Sequence, residues 1–226
     1  MLSIIPTPIG NKEDITLRAL RLLEEVSIFF CEDTRTARQL FRLYDLDSRN
    51  KQFLALTSFT DPNRLRQYIE MIQEHHCALI SEAWTPGLSD PGKELIKLCR
   101  ERNLSFEVLP GANALIPAVV ATYADTSKFV FWWFLPTKKW RQTILKNIVA
   151  SDTPVFVYES VHRMEKLARE LQTVGFQGTV QIYRELTKMF EQKRKGSAVE
   201  LEKAFDTKEI PLKGEFVVWF VPASHG

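Results

Sequence analysis

Apolar residues follow two alternating patterns along the chain. Short continuous apolar runs at residues 2–6, 26–31, 77–81 and 105–109 have the length and composition of strands buried on both faces. Residues 54–57 form a weaker run of the same kind. Between these runs, apolar side chains recur every three to four positions. In residues 14–25, Ile15, Leu17, Leu20, Leu22 and Leu23 make a wide apolar face, with Asp14 or Thr16 as the helix cap. Residues 34–44 predict a second helix carrying Arg35, Arg38 and Arg42 along one side. Asp61-Pro62 opens a third, running to residue 74 with proline at or near its first position. Residues 92–103 and 113–123 predict two more. This β-loop-α alternation predicts a parallel sheet covered by helices.

A second unit begins near Asp125. Residues 129–134 predict an aromatic strand, 137–150 a basic helix and 154–158 a strand. A helix at 161–174, a strand at 179–183, a helix at 197–205 and a final strand at 214–221 follow. The pattern gives two α/β domains, 1–115 and 116–226, with no internal repeat and no low-complexity tract.

Composition narrows the class. Hydrophobic residues make up 45% of the 226, enough for a real core. The net charge of +2 is too small to grip nucleic acid by overall charge, so any such role needs a local patch. No apolar run reaches the length of a membrane-spanning helix. The first residues lack a basic region and a cleavage site and read as a strand, not a signal peptide. Cys31, Cys77 and Cys99 are odd in number and set in apolar runs, as expected of reduced core thiols in a cytoplasmic protein.

Ligands of such sheets bind at the carboxyl ends of the strands. The loops there, residues 6–11, 32–36, 81–92 and 110–113, hold most of the glycine and proline of the first half. No dinucleotide fingerprint, Walker A motif or nucleophile elbow occurs. His75-His76-Cys77 lacks a second pair at zinc spacing, so no metal is expected. Three strand ends instead pair acids with bases: Glu32-Asp33-Thr34-Arg35, Tyr158-Glu159-Ser160-Val161-His162-Arg163 and Tyr183-Arg184-Glu185-Leu186-Thr187-Lys188. Helix capping by Asp33 or Thr34 accounts for the first equally well. Residues 126–151 carry Lys128, Lys138, Lys139, Arg141 and Lys146 without one acid, interleaved with Phe131, Trp132, Trp133, Phe134 and Trp140. Such a face suits phosphates and stacked bases; the alternative is a core strand followed by a solvated helix.

Pro6-Thr-Pro-Ile-Gly-Asn11, Asp14-Ile-Thr-Leu-Arg-Ala-Leu20, Glu32-Asp-Thr-Arg35, Thr85-Pro-Gly-Leu-Ser-Asp-Pro-Gly92, Leu109-Pro-Gly111 and Phe134-Leu-Pro136 occur in order. Tyr158-Glu-Ser160, His162-Arg163, Arg184-Glu-Leu-Thr-Lys188 and Gly214-Glu-Phe216 follow. Over nearly the whole chain these motifs resemble the RsmI-type ribosomal RNA methyltransferases, of the class III, tetrapyrrole methylase-like fold. The resemblance implies a two-domain α/β subunit with a mostly parallel N-terminal sheet and a mixed C-terminal sheet. It implies a homodimer, with S-adenosyl-L-methionine in a cleft between the domains. It also implies methyl transfer to the 2′-hydroxyl of a cytidine in small-subunit (16S) ribosomal RNA or the 30S subunit. By the same resemblance, Pro8, Ile9, Gly10, Glu82, Ala83, Trp84, Thr85, Asp90, Pro110, Gly111, Ala112 and Ala114 border the cofactor. Arg184, Glu185 and Leu186 do so too, and Gly214, Glu215 and Phe216 close its far side. A ribose hydroxyl needs a base, for which Asp33, Glu32 and Glu159 are the expected carboxylates, in that order. Arg35, Arg38, Lys138, Lys139, Arg141, His162 and Arg163 are expected to hold RNA phosphates.

The chain departs from the family in a consistent way. Trp84, Trp133 and Trp140 stand where the family usually has glycine, and Ser58-Phe59-Thr60 stands where it usually has a His-Glu pair. There are nine glycines in 226 residues, against a typical share of roughly 7%. Two explanations compete: a genuine indole at 84 that blocks or reshapes the cofactor site, or UGA codons meant as glycine and translated as tryptophan. UGG at the three codons would exclude the second. Two other functions remain open at this stage. One is a non-catalytic RNA- or ribosome-binding relative with Trp84 in the cofactor cleft. The other is a methyltransferase of the same fold acting on a small tetrapyrrole, against which the acid-free basic stretch argues.

Overall fold

The computed structural model describes residues 1–87, 90–122 and 125–221. Leu88 and Ser89 of the Thr85–Gly92 motif and Tyr123, the end of the helix expected at 113–123, lie outside the described residues. The chain divides into two compact units, Met1–Asn113 and Ala114–Gly226.

The first unit is a five-stranded parallel sheet in the order β3-β2-β4-β1-β5. Its strands are β1 (Leu2–Ile5), β2 (Ile28–Cys31), β3 (Gln52–Ala55), β4 (Cys77–Ile80) and β5 (Phe106–Val108). The helices are α1 (Leu17–Glu25), α2 (Thr34–Leu43), α3 (Pro62–Glu74) and α4 (Gly92–Glu101). Alternation along the strands fills both faces. Ile5, Phe29, Cys31, Ala78 and Ile80 pack with Leu22 and Leu23 of α1 and Ala37 and Phe41 of α2. Leu2, Ile4, Phe30, Cys77 and Leu79 pack with Tyr68, Ile69 and Ile72 of α3 and Leu95 and Cys99 of α4. Each fully buried Leu, Ile or Phe contributes about 1.5–3 kcal/mol, so a sheet covered on both sides holds its strand ends rigid. The three cysteines are buried and free, and burial pushes the Cys31 thiol up to about 12. Thr16, not Asp14, caps α1 by accepting from the Ala19 N–H, and Asp61 caps α3.

The second unit holds a mixed sheet in the order β6-β7-β10-β8-β9. Its elements are α5 (Leu115–Val120), β6 (Val130–Phe134), α6 (Arg141–Val149), β7 (Val155–Glu159) and α7 (Met164–Thr173). Then come β8 (Thr179–Arg184), β9 (Gln192–Gly196), α8 (Ala198–Asp206) and β10 (Phe216–Val221). Only β6 and β7 run parallel; the other pairs are antiparallel. α6, α7 and α8 cover one face over Val157, Ile182 and Val218. Ala118 and Val119 of α5 pack on the other, against Phe156, Tyr183, Val217 and Trp219. Phe156 and Trp219 stack there at 5.5 Å.

One strand is absent from the sequence expectation and one helix starts well after its expected position. Residues 192–196 form an edge strand, although Gln-Lys-Arg-Lys-Gly offers no apolar position. Its order comes from pairing with β8 along its length. The helix expected from 137 begins at Arg141, because Trp140 at its N-cap has φ 69°, in the left-handed region. No described helix is long and apolar enough to cross a membrane.

Candidate active site

The strand-end loops of the first unit are tied to one another. Thr7, after β1, takes part in a β-bridge with Trp84: its N–H donates to the Trp84 carbonyl at 3.1 Å, and its Oγ1 donates to the Ser81 carbonyl at 3.1 Å. Ser81 Oγ is hydrogen-bonded to the carbonyls of Ala83 and Trp84 at 2.8 and 2.9 Å. Gly111 lies against Pro6 so closely that an added Cβ would sit 2.3 Å from the Pro6 Cβ, so only glycine joins these two loops. Pro8 is half-buried, Ile9 buried and Gly10 exposed.

Asp90 organises the third loop. Its carboxylate accepts the N–H groups of Gly87 and Gly92, and the nearby Trp84 side chain also favours the charged form. Burial nevertheless outweighs these bonds and raises its pKa. Trp84 itself has φ 65°, a conformation in which a bulky side chain is an outlier. Glu82 is exposed, while Ala83 and Thr85 are half-buried.

Glu32 and Asp33 are neighbours with opposite chemistry. Asp33 is the N-cap of α2 and accepts the Arg35 N–H at 2.7 Å. The Arg35 side chain closes on the same carboxylate, with Nη2 at 2.6 Å from Oδ2. These hydrogen bonds hold Asp33 down at about 2. Glu32 has no such partner: desolvation and the charges of Glu82 and Asp90 raise its pKa. It borders a depression lined also by Asp33, Thr36, Ile80, Ser81 and Glu82. Arg38 is exposed and lies over the Phe53 ring at 4.7 Å.

In the second unit Arg184 is buried and donates to the carbonyls of Lys213 and Phe190 at 2.6 and 3.1 Å. Glu185, at φ 53°, accepts from Lys188 Nζ and from the Glu215 N–H, both at 2.9 Å. Desolvation pushes the Glu185 carboxyl up, but these bonds outweigh it and the net shift is downward. Gly214, at φ 96°, leaves room for that carboxylate: an added Cβ would lie 2.6 Å from Glu185 Cδ. Leu186 and Phe216 are buried, Ala112 and Ala114 are half-buried, and Pro110 is exposed.

Arg141 and Glu159 are placed differently from the expectation that one holds phosphate and the other takes a proton. Arg141 is 2% exposed and lies 3.0 Å from Glu159 and 2.7 Å from Glu170, both ion pairs. Glu159 is also paired with Arg163 at 2.5 Å and accepts the Ser160 N–H at 2.8 Å. Arg163 Nη1 donates to the Leu135 carbonyl. A desolvated network of this kind spends its charges internally. Lys138, Lys139 and His162 are exposed, with Lys139 Nζ 5.4 Å from the Trp140 ring. Trp133 sits where the register between β6 and β7 shifts, a bulge. No group of three or more described His, Cys, Asp or Glu side chains could hold a metal ion.

The family profile for tetrapyrrole (corrin/porphyrin) methylases matches residues 1–202. The ribosomal RNA small subunit methyltransferase I of Hydrogenobaculum sp. (strain Y04AAS1) is 36% identical, covering 96% of this chain and 94% of the relative. That of Mycoplasma pneumoniae is 34% identical, covering 96% of this chain and 78% of the relative. Among solved structures, the fold matches uroporphyrin-III C-methyl transferase from Thermus thermophilus complexed with S-adenyl homocysteine. There the TM-score is 0.64 at 15% identity, over 97% of this chain and 96% of that one. A doubly covered parallel sheet with acid-bearing strand ends, a mixed second sheet and similarity along almost the whole length agree with one another: the chain is a methyltransferase and belongs to the tetrapyrrole methylase family, among the relatives named ribosomal RNA small subunit methyltransferase I.

Proposed function

We propose that this chain transfers a methyl group from S-adenosyl-L-methionine to the 2′-hydroxyl of a cytidine in small-subunit ribosomal RNA. The observation that carries the proposal is 36% identity along 96% of the chain to a relative bearing that substrate class in its name. The strand-end acids suit the cofactor. Glu32, Glu82 and Asp90 share negative charge, and among the described residues neither Glu32 nor Glu82 forms an ion pair with a lysine or arginine. A cationic sulfonium would supply the missing positive charge. Bound there, it provides an electrophilic methyl group.

In this proposal Pro8, Ile9, Gly10, Glu82, Ala83, Trp84, Thr85, Asp90 and 110–112 contact the cofactor in the first unit. Ala114, 184–186 and 214–216 do so in the second. The O–CH3 bond forms as the S–CH3 bond breaks, and the hydroxyl proton leaves to a carboxylate. Glu32 takes that role ahead of Asp33, because a group held near 2 is a weak base at neutral pH, whereas a raised carboxylate matches the operating range better. Arg38, Lys138, Lys139 and His162, all exposed, hold phosphates. Cytoplasmic residence and a homodimer belong to the same proposal.

The test is methylation of small-subunit RNA or 30S particles lacking the modification, using radiolabelled S-adenosyl-L-methionine, with the product mapped by nuclease fragments. Label on a cytidine ribose is the expected result. Label on a base, or none on RNA while a tetrapyrrole is methylated, overturns it.

A further inference from the structure

The turn between β8 and β9 displays apolar side chains that the fold does not use. Met189 is 90% exposed and Phe190 70%. Neither is there by looseness of the loop. The buried Arg184 guanidinium holds the Phe190 carbonyl at 3.1 Å, the Lys188 carbonyl accepts the Glu191 N–H at 3.1 Å, and Glu191 Oε2 accepts the Thr187 N–H at 2.9 Å. A pinned backbone therefore presents two large apolar groups to solvent, and such display marks an interaction site.

The strand beside it is basic. Residues 186–196 contain Lys188, Lys193, Arg194 and Lys195 against one acid, Glu191. Lys188 is absorbed by Glu185 and Glu215, and Arg194 by Glu209. Lys193 and Lys195 are exposed, and two residues apart on a strand places them on one face. Lys193 makes only a surface pair with Glu191, with both side chains well hydrated, and such a pair yields readily to a stronger anion. β9 is an edge strand, so nothing in the sheet lies beyond it.

We infer that the β8–β9 hairpin is a docking surface for single-stranded RNA: Phe190 stacks on an unpaired base while Lys193 and Lys195 take the flanking phosphates. An aromatic beside cations is the combination that unpaired nucleotides require, since every base has a face to stack and every linkage a charge to neutralise. A neutral or basic protein partner would leave the lysines uncompensated. The inference rests on the proposed RNA substrate and places a contact on second-unit side chains that are not among those assigned to the cofactor.

The test is fluorescence anisotropy with a labelled single-stranded RNA of roughly twelve nucleotides, titrated at several salt concentrations, together with naked small-subunit ribosomal RNA. Phe190→Ala weakens binding of the short RNA by about tenfold, within the range of one lost base stack. Lys193→Gln with Lys195→Gln weakens it too and lowers the salt slope by roughly 0.7 per phosphate lost. Calorimetric affinity for S-adenosyl-L-methionine and the melting temperature stay at wild-type values, because these side chains are exposed and outside the cofactor set. If wild type binds both RNAs and the variants match it in affinity and slope, the hairpin is not the surface, while the RNA-substrate proposal stands. If wild type binds neither RNA, both fall. If Met189→Ala and Phe190→Ala split a dimer in sedimentation without affecting RNA binding, the surface serves self-association and the inference is overturned.

Discussion

The Trp84 side chain lies beside the Asp90 carboxylate and favours its charged form, while the Trp84 backbone sits at φ 65°. The side chain is accommodated, but its conformation is one that L-residues with a Cβ reach at a cost of roughly 1–2 kcal/mol. Trp140 repeats the strain at φ 69° and is 63% exposed, with no burial to offset it. Trp133 marks the bulge in β6. Two tryptophans in backbone geometry that suits glycine, with a third at a bulge, favour UGA codons meant as glycine. Sequencing codons 84, 133 and 140 is expected to find UGA at all three; UGG would make the tryptophans genuine. In the tryptophan-bearing protein, Trp140→Gly is expected to stabilise by about 0.5–1 kcal/mol, the relief less glycine's entropic cost, as read by chemical denaturation. Trp84→Gly gives up the indole beside Asp90 but clears the loop. Calorimetry should find S-adenosyl-L-methionine bound roughly tenfold more tightly.

Glu32 controls the acid limb of activity in the proposed reaction. Glu32→Gln is expected to lower kcat by about 10²–10⁴-fold, the usual range for a lost general base, with a smaller loss of cofactor affinity from the missing charge. Desolvation, then Glu82 and Asp90, raise its pKa, so the base ionises at a higher pH than a free glutamate. Activity should therefore fall as pH drops through that raised value. Glu82→Gln removes one repelling charge and should move the limb to lower pH. An unmoved limb in both variants would assign the proton to another group.

The layered α/β architecture was legible because the buried strands of the first sheet are apolar on both faces and the helices carry their 3.6-residue stripe. β9 was not, since Lys193, Arg194 and Lys195 contain no inward apolar position and the strand exists only through pairing with β8. Arg141 stands in an acid-free run and reads as a phosphate ligand. Its burial depends on Glu159 and Glu170, 18 and 29 residues away, which no local pattern reports. Glu32 and Asp33 are equal in sequence and are separated by one side chain, the Arg35 guanidinium folded back onto Asp33. Trp84 and Asp90 are near in sequence, yet only the positive φ of Trp84 shows why an indole there is unusual.

Arg141 is expected to matter for stability far more than for RNA. Arg141→Ala leaves Glu159, whose side chain is 0% exposed, with Arg163 alone, and also takes from Glu170 its cation at 2.7 Å. Removing one member of a buried pair typically costs about 3–5 kcal/mol. Denaturant unfolding should show that loss. Lys138→Ala, at an exposed lysine, should leave the midpoint in place and weaken RNA binding instead. A soluble, fully stable Arg141→Ala protein would contradict the structural role.

Gly111 provides the sharpest test of how the first unit's loops meet. The Cβ of an alanine would lie 2.3 Å from Pro6 Cβ and 2.8 Å from Pro6 Cγ. The proline ring cannot swing away as a flexible side chain would, because its φ is locked by the ring and Pro6 is buried directly after β1. The 110–112 loop must therefore move outward from the 6–10 loop. Gly111→Ala is expected to destabilise by about 1–3 kcal/mol, the usual cost of overpacking, and to weaken S-adenosyl-L-methionine binding. Gly175→Ala is the control: its added Cβ meets nothing within 4 Å, but its φ of 75° still penalises alanine, so it should lose stability without losing cofactor affinity. Equal cofactor affinity in both variants would separate the 110–112 loop from the cofactor site.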